Sequence, residues 1–362
     1  MGVATPSPAP GVRTVRRRLR VEPLHHVPAL DGLRAVAVAL VLLYPAGFEW
    51  MRGGFLGVSV FFTLSGFLIT SLLLREWNER GRIDGRRFWV RRLRRLSPAA
   101  WTAIALILVL AAVGAWDDTQ LRSLRGDVPW SLLDLVNWHF VAEGASYGAG
   151  FGAPSPLEHY WSLAVETQFY AVLLLVVLGV LALRRRFSPR ARVRTLTQVL
   201  AALTVASVAA SWGLGRGSLD RAYFGTDTRA AEMLLGALLA CALLRRLQLP
   251  PGRAREIARV GGPVALAIVV GLSTVATTGS AWLHPWGLLL TGLCSTLVVA
   301  SCLQGGAMAR ALATRPLVLL GRISYGVYVL HWPRFLWGPA PAPRRRPGSR
   351  PAPARRRWGS SG

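Results

Sequence analysis

The sequence predicts an all-α, polytopic transmembrane helical bundle. Of its 362 residues, 52% are hydrophobic, and the mean hydropathy is +0.38. Several apolar runs are long enough to cross a bilayer, which takes about 20 residues in a helix. The basic residues, which are all arginines, cluster in short segments between these runs. This alternation is typical of integral membrane proteins with many spans.

Nine apolar segments are expected to cross the membrane, and one further segment is not. In chain order the nine are residues 30–47, 55–74, 97–115, 158–183, 196–214, 229–245, 260–277, 284–303 and 317–337. Residues 130–141 are too few to cross, and they contain Asp134, Asn137 and His139. We therefore expect that segment to be re-entrant or to lie in the membrane interface.

The distribution of arginine predicts the orientation of the chain. Residues 75–95, 184–194 and 245–259 are rich in arginine, so by the positive-inside rule they face the cytoplasm together with the basic tail 1–28. Heavy use of alanine, glycine, proline and arginine indicates a GC-rich bacterial genome. The expected location is a bacterial plasma membrane, with the N-terminus in the cytoplasm.

Charge and cysteine content exclude other classes. A net charge of +26 would suggest nucleic-acid binding in a soluble protein, but here the arginines follow the connections between spans. We therefore expect no nucleic-acid partner. Cys241, Cys294 and Cys302 lie in apolar stretches without metal-ligand spacing, so neither disulfide bonds nor a metal site is expected.

The chain divides into a basic tail (1–28), a membrane domain (29–337) and a second tail (338–362). The second tail is rich in arginine and proline and has no acid, so it is predicted to be disordered. Nine crossings would place its arginines outside, against the charge rule. Its abrupt start after His331-Trp332-Pro333 suggests a truncated or frame-shifted end.

Arg34 is the first candidate functional residue, because a charged side chain within a span costs at least a few kcal/mol. Position 45 lies about three helical turns further, on nearly the same face and roughly 16 Å deeper. Both positions are therefore predicted to line one cavity. Residue 45 is proline, which cannot transfer a proton and would kink the helix.

A polar stripe follows on the span that begins near residue 158. His159, Ser162, Glu166 and Tyr170 fall within about 60° of one another on a helix. Such a stripe faces a cavity or a partner group rather than lipid. A hydrogen-bonded packing seam is the alternative. Residues 227–232, which hold two acids and an arginine, could form a structural ion-pair cluster.

The last predicted span carries Arg322 at its cytoplasmic end and His331 about 13 Å further along, with Tyr325 and Tyr328 between them. These residues are candidates for lining a cavity, although a single histidine in a span is often a packed core residue. The arginine-rich run 88–96 has two interpretations of similar weight. It anchors anionic lipid headgroups, or it holds the phosphates of a cytoplasmic donor.

Taken together, these segments resemble the acyltransferase-3 family, the multi-span membrane O-acyltransferases of bacteria. The matching segments occur in the family's order and are residues 30–34, 53–70, 91–95, 159–170, 223–232 and 321–333. No single motif is decisive, but the combination is specific. Members of the family normally have ten spans.

The resemblance implies transfer of an acyl group, commonly acetyl, from acyl-CoA to a hydroxyl of a cell-surface carbohydrate, a glycolipid or a sugar-bearing metabolite. No bound cofactor is expected. The resulting catalytic set is Arg34, Pro45, His159, Ser162 and Glu166. The donor-binding set is Arg91, Arg92, Arg95 and Arg322. The residues expected to line the rest of the cavity are Trp161, Tyr170, Tyr325, Tyr328 and His331.

Two departures from the family matter. Pro45 stands where the family has a histidine, and the arginine-rich tail stands where the family has a tenth span. An imidazole that accepts the proton of the attacking hydroxyl is worth about 10²–10⁴-fold in rate, and proline supplies none of it. Turnover is therefore predicted to be weak or absent. His139, His159 or His331 could substitute as the base, and the spacing selects none of them.

Two other classes stay open. A catalytically inactive remnant of the family would explain Pro45 and the replaced last span together. A small-molecule transporter would also have many spans and intramembrane charges, but the sequence has no duplicated half. The acceptor, the acyl chain and the oligomeric state are not predicted.

Overall fold

The computed structural model describes residues 19, 26–46, 48–147 and 154–336. This part of the chain is helical without strands, which confirms the all-α prediction. Most of the predicted basic tail and all of the predicted arginine- and proline-rich tail lie outside the described residues. The α-helices are α1 (Pro28–Leu43), α2 (Gly57–Arg80), α3 (Gly85–Ala112), α4 (Asp118–Leu132), α5 (Val136–Ala142), α6 (Tyr160–Leu183), α7 (Pro189–Gly215), α8 (Leu219–Phe224), α9 (Thr226–Ala242), α10 (Arg253–Val275), α11 (Trp286–Gln304), α12 (Ala307–Leu312) and α13 (Arg315–Leu336).

Six helical segments in the described part of the chain are long and apolar enough to cross a membrane. They are α2 with the short helical turns before it, α3, α6, α7, α10 and α11. The other three predicted spans also coincide with helices. α1 and α9 are shorter, with 16 and 17 residues, and α13 has 22 residues with arginines along its length. The protein is therefore a polytopic helical bundle.

The segment 130–141 forms two short pieces instead of one helix. α4 ends before Asp134, whose backbone is left-handed with φ of 55°, and α5 begins after it. α5 has seven residues and is too short to cross a bilayer. Gln168 of α6 stabilises the chain between α4 and α5. Its side-chain amide donates to the Asp134 carbonyl oxygen at 2.7 Å and to Asn137 Oδ1 at 2.8 Å.

Pro45 follows the end of α1 and does not kink it. The sequence predicted a span over 30–47 with this proline inside it, but the helix stops at Leu43 and Tyr44 is its C-cap. Proline has no backbone N–H to donate to the carbonyl of Val41, four residues earlier, so a regular helix cannot continue through position 45. The prediction of a kinked helix at Pro45 is wrong.

Glycines bring the helices of the bundle into backbone contact. Where α2 crosses α9, a β-carbon at Gly66 would lie 1.8 Å from the carbonyl oxygen of Met233. Where α13 crosses α1, a β-carbon at Gly321 would lie 1.8 Å from the carbonyl oxygen of Asp31. Only glycine permits such close crossings. These close crossings bring α2 against α9 and α13 against α1, so that the polar side chains of these helices can contact one another.

Replacing Gly66 with alanine should destabilise the bundle by about 1–3 kcal/mol, because the added methyl group must push α2 away from α9. Gly179 in α6 is the matched control, since a β-carbon there would meet nothing within 4 Å. Gly179→Ala should be neutral or stabilising by up to about 1 kcal/mol. Thermal unfolding in detergent measures both variants, and equal melting temperatures would contradict the close crossing.

Candidate active site

A cavity with about 750 Å³ of open space, its mouth included, lies between α1, α2, α3, α6 and α13. The residues selected from the sequence that line it are Arg34, Arg92, Arg95, Ser162, Glu166, Tyr170, Arg322, Tyr325 and Tyr328. Arg34 therefore shares one cavity with Ser162 and Glu166, although more than 120 residues of chain separate them.

The cavity is strongly basic. Its guanidinium groups are those of Arg34, Arg92, Arg95 and Arg322. Among the described residues that line it, Glu166 is the one acid. Asp31, one turn before Arg34, lies 3.5 Å from Arg34 Nη1 and 3.8 Å from Arg322 Nε. Four guanidinium groups with so little opposite charge favour a ligand that carries several negative charges.

Two hydroxyl groups hold Glu166 in place. Ser65 Oγ from α2 and Tyr170 OH from the next turn of α6 both donate to Glu166 Oε1. The guanidinium carbon of Arg92 lies 5.5 Å from the centroid of the Tyr170 ring, which is a cation–π arrangement. The carboxylate is therefore fixed in the same cavity as the arginines, and it balances part of their charge.

Ser162 and Tyr328 close one side of the cavity. Their hydroxyl oxygens are 2.6 Å apart, and Tyr328 OH donates to the carbonyl oxygen of His159 at 2.9 Å. His159 is 1% exposed, and its Nε2 donates to the carbonyl oxygen of Val329 at 2.9 Å. His331 Nδ1 bonds the carbonyl oxygen of Tyr328. Neither of these predicted histidines lines the cavity; both lie behind this wall.

Arg91 and Trp161 also lie outside the cavity, which corrects their predicted places. Arg91 is exposed, and its side chain donates to Glu76 Oε2 at 3.3 Å instead of lining the cavity. Trp161 is fully buried and packs on Tyr223, with ring centroids 4.7 Å apart. It precedes Ser162 in α6, so its side chain points away from the cavity.

Position 45 lies beside an aromatic cluster, which we define as Tyr44, Phe55, Tyr147, Trp161 and Tyr223. The ring of Tyr44 stacks on Tyr147 with centroids 5.8 Å apart, and Tyr147 stacks on Tyr223 at 4.9 Å. Pro45 is not among the described residues that line the cavity with Arg34. That Arg34 and position 45 serve one reaction stays a prediction. α1 ends at Leu43, so helix periodicity does not fix the direction in which position 45 faces.

Buried polar atoms without partners surround Tyr223. Within the described residues, Trp161 Nε1, Tyr223 OH, Arg229 Nη1 and both ring nitrogens of His284 form no hydrogen bond. His284 is 8% exposed, and its ring lies 6.2 Å from the ring of Tyr223. Unpaired buried polar groups are rare and mark a place for a polar ligand or water. Sequence reasoning missed Tyr147 and His284, whose neighbours are remote along the chain.

A buried ion pair lies between the aromatic cluster and the cavity. Arg229 Nη2 is 3.1 Å from Glu232 Oε2, and the two side chains are 1% and 3% exposed. Ser59 Oγ donates to Glu232 Oε1 at 3.0 Å. The Arg229 guanidinium lies 5.4 Å from the ring of Phe62, which lines the cavity, and 5.0 Å from the ring of Tyr223. Of the suggested cluster, Arg229 and Glu232 form a buried pair, whereas Asp227 pairs with Arg221 at 2.8 Å instead.

Asp134, at the break between α4 and α5, should make stability depend on pH. Burial raises the pKa of its carboxyl group to about 6, and a hydrogen bond with the Thr167 side chain opposes this. A raised pKa means that folding disfavours the charged form, so stability falls as the pH rises from about 4 through about 6. Asp134→Asn should raise the melting temperature at pH 7 and leave it unchanged below pH 4.

The control for this prediction is Asp118→Asn, at an exposed position of α4. It should leave the melting temperature nearly unchanged at both pH values, because surface substitutions away from buried networks usually change stability by less than about 0.5 kcal/mol. The same stabilisation by Asp134→Asn at pH 4 and pH 7 would show that ionisation of Asp134 is not the cause.

The described residues include no group of three histidine, cysteine or acidic side chains that could hold a metal ion. A helical membrane bundle around a basic cavity, with hydroxyl groups and one carboxylate in its wall, defines a membrane protein suited to a substrate with several negative charges. The chain belongs to the acyltransferase-3 family, whose domain, described as "Acyltransferase domain", matches residues 27–337.

Three curated proteins illustrate the similarity. The chain is 36% identical to YrhL of Bacillus subtilis over 316 residues. It is 32% identical to the peptidoglycan O-acetyltransferase OatA of Listeria monocytogenes over 313 residues and to the O-acetyltransferase OatA of Staphylococcus aureus over 314 residues. Each match covers 85% of this chain and 49% or 50% of the relative. The chain thus spans about half the length of these relatives. No solved structure matches it.

Proposed function

We propose that the chain is a membrane O-acyltransferase that moves an acyl group, expected to be acetyl, from acyl-CoA to a hydroxyl of an envelope carbohydrate. The observation that carries this proposal is the single cavity shared by Arg34, Ser162 and Glu166 within an acyltransferase family domain. One relative is named as a peptidoglycan O-acetyltransferase. The acceptor we propose is therefore a sugar of peptidoglycan or of another carbohydrate or glycolipid at the cell surface.

The arginines of the cavity suit this donor. Coenzyme A carries a pyrophosphate and a ribose phosphate, and guanidinium groups bind phosphates with paired hydrogen bonds. In our proposal Arg92, Arg95 and Arg322 hold the phosphates, and Arg34 lies nearer the thioester. The arginine-rich connections assign this side, with the N-terminus, to the cytoplasm of a bacterial cell.

Acyl transfer requires that one proton be removed and one returned. The acceptor hydroxyl attacks the thioester carbonyl, a C–O bond forms and the C–S bond breaks. The hydroxyl proton passes to a base, and the departing CoA thiolate takes up a proton. Because position 45 supplies no imidazole, we assign Glu166, the one carboxylate among the described lining residues, as the proton acceptor that remains in the cavity. The Ser162 hydroxyl in the wall is a donor for the carbonyl oxygen as negative charge develops.

Pro45 limits the activity in this proposal. The chain keeps the basic cavity but has no imidazole at the position where the family has one, so we expect slow turnover. An inactive remnant of the family is the second candidate, and Pro45 is the observation that favours it. A purified chain that is stable in membranes and shows no acyl transfer at all would select the remnant.

The proposal is tested by deleting and restoring the gene and measuring the O-acetyl content of peptidoglycan and surface glycans by mass spectrometry. Deletion should lower the O-acetyl content, and restoration of the natural chain should recover it. Arg34→Gln should fail to restore it, whereas Arg310→Gln, an exposed change in α12, should succeed. Unchanged O-acetyl content on deletion would contradict acyl transfer, and substrate uptake without acetyl-CoA dependence would indicate a transporter.

A further inference from the structure

A second basic cavity lies at the end of the bundle where α2 and α6 end and α7 begins. It has about 1600 Å³ of open space, its mouth included. Its rim carries four arginines, which are Arg82, Arg185, Arg186 and Arg192. No acidic side chain lies among its described lining residues. An anion is therefore the ligand that this charge distribution favours.

This cavity is separate from the candidate active site. None of the described residues lines both cavities. Leu178, which lines the second cavity, follows Glu166 by twelve residues on α6, which corresponds to roughly 18 Å along the helix axis. The four arginines of the second cavity therefore stay unexplained by acyl transfer.

One of the four arginines is held in a fixed place. Arg192 Nε donates to the carbonyl oxygen of Phe187 at 3.1 Å, and its guanidinium lies 5.9 Å from the ring of Trp77. Arg82, Arg185 and Arg186 are exposed around the opening. The first residue of α7, Pro189, also lines the cavity, so the positive end of that helix adds to the field.

Part of the cavity lining is apolar. Ile83, Leu178, Leu181 and the largely buried Trp77 line it together with the arginines. On α6, which is long and apolar enough to cross a membrane, the adjoining side chain of Leu183 is 84% exposed. A small phosphate ion bound by the arginines would leave these apolar side chains without a contact. A phospholipid would fill the opening with its charged headgroup and lay its first acyl carbons on the apolar residues.

We propose that the cavity bounded by Arg82, Arg185, Arg186 and Arg192 binds the headgroup of an anionic phospholipid. The proposal does not depend on acyl transfer. Bound lipid would tie the ends of α2 and α6 to the start of α7, the three elements whose residues line the cavity.

Native mass spectrometry of the purified full chain in detergent, titrated with phosphatidylglycerol, tests the proposal. The cavity variant changes Arg82, Arg185 and Arg186 to glutamine. The control variant removes the same charge from exposed arginines of the same region that do not line the cavity, which are Arg184, Arg190 and Arg194. At about 1 kcal/mol for each arginine, the cavity variant should bind its tightest phosphatidylglycerol roughly 100-fold more weakly. The affinity of the control variant for phosphatidylglycerol should change by less than about threefold.

Further arms of the experiment separate the possible ligands and guard against misfolding. Changing the same three cavity arginines to lysine should keep phosphatidylglycerol binding within about tenfold of the natural chain, and a loss as large as that of the glutamine variant would overturn the proposal. Equal weakening in the control variant, or equal binding of phosphatidylcholine, would also overturn it. Displacement of the lipid by inorganic phosphate or by free coenzyme A would show a phosphate site instead of a lipid site.

Discussion

Replacing Pro45 by histidine should raise the rate of acyl transfer by about 10²–10⁴-fold, the usual contribution of a general base. Proline has no group that can accept a proton, whereas an imidazole does so near neutral pH. Pro45 follows Tyr44, whose ring stacks on Tyr147 at 5.8 Å. A histidine at position 45 would therefore be added beside the aromatic cluster, where Tyr223 OH and Arg229 Nη1 have no partner among the described residues.

Acetyl transfer from acetyl-CoA by the purified variants measures this effect. Pro45→Ala is the first control, because it removes proline without supplying an imidazole, and it should not raise the rate. Ala46→His is the second control, since it adds an imidazole at the neighbouring exposed position. Equal rates for the natural chain and Pro45→His would contradict the role assigned to position 45. So would an equal increase in either control.

Replacing Glu232 with glutamine should destabilise the protein by about 3–5 kcal/mol, because it leaves the guanidinium of Arg229 buried without a counter-charge. The carboxylate of Glu232 also accepts from Ser59 Oγ at 3.0 Å, so the change disturbs a network that joins α2 to α9. Unfolding of the purified variant in detergent, by heat or by denaturant, measures the loss.

The matched control is Glu256→Gln. Glu256 and Arg259 form a pair with the same spacing and an N–O distance of 3.0 Å, but their side chains are 60% and 41% exposed. Exposed ion pairs contribute about 0–1 kcal/mol, so this variant should unfold nearly as the natural chain does. Replacing Arg229 and Glu232 together by leucine should recover part of the stability, since no charge then stays buried. Equal losses in Glu232→Gln and Glu256→Gln would contradict the burial of the Arg229–Glu232 pair.

Hydropathy and helical periodicity were sufficient to predict the membrane helices and the polar face of α6 that lines the cavity. The apolar runs coincide with helices, and the periodicity of α6 placed Ser162, Glu166 and Tyr170 on one face. A charged residue in an apolar run needs a polar partner, and this rule predicted that Arg34 faces a cavity. His159 has the same periodicity but lies at the N-cap of α6, where its ring turns to the backbone of α13.

The remaining features depend on contacts that a sequence does not contain. Helix periodicity assumes a continuous helix, so it could not place position 45 once α1 had ended at Leu43. The aromatic cluster joins residues from distant parts of the chain, including Tyr44, Tyr147 and Tyr223. Local patterns report which face of a helix is polar, but they do not report which distant loop covers it.

Binding of acetyl-CoA to the purified full chain tests the central claim, that the basic cavity holds the donor. The double variant Arg92→Gln/Arg95→Gln changes two residues that line the cavity, and Arg91→Gln/Arg94→Gln removes the same charge from exposed positions of the same helix that do not line it. We predict that the first pair weakens binding roughly 100-fold, about 1.4 kcal/mol for each arginine, and that the second changes it by less than about threefold. Equal affinities for the two double variants, or no acetyl-CoA binding by the natural chain, would contradict the claim.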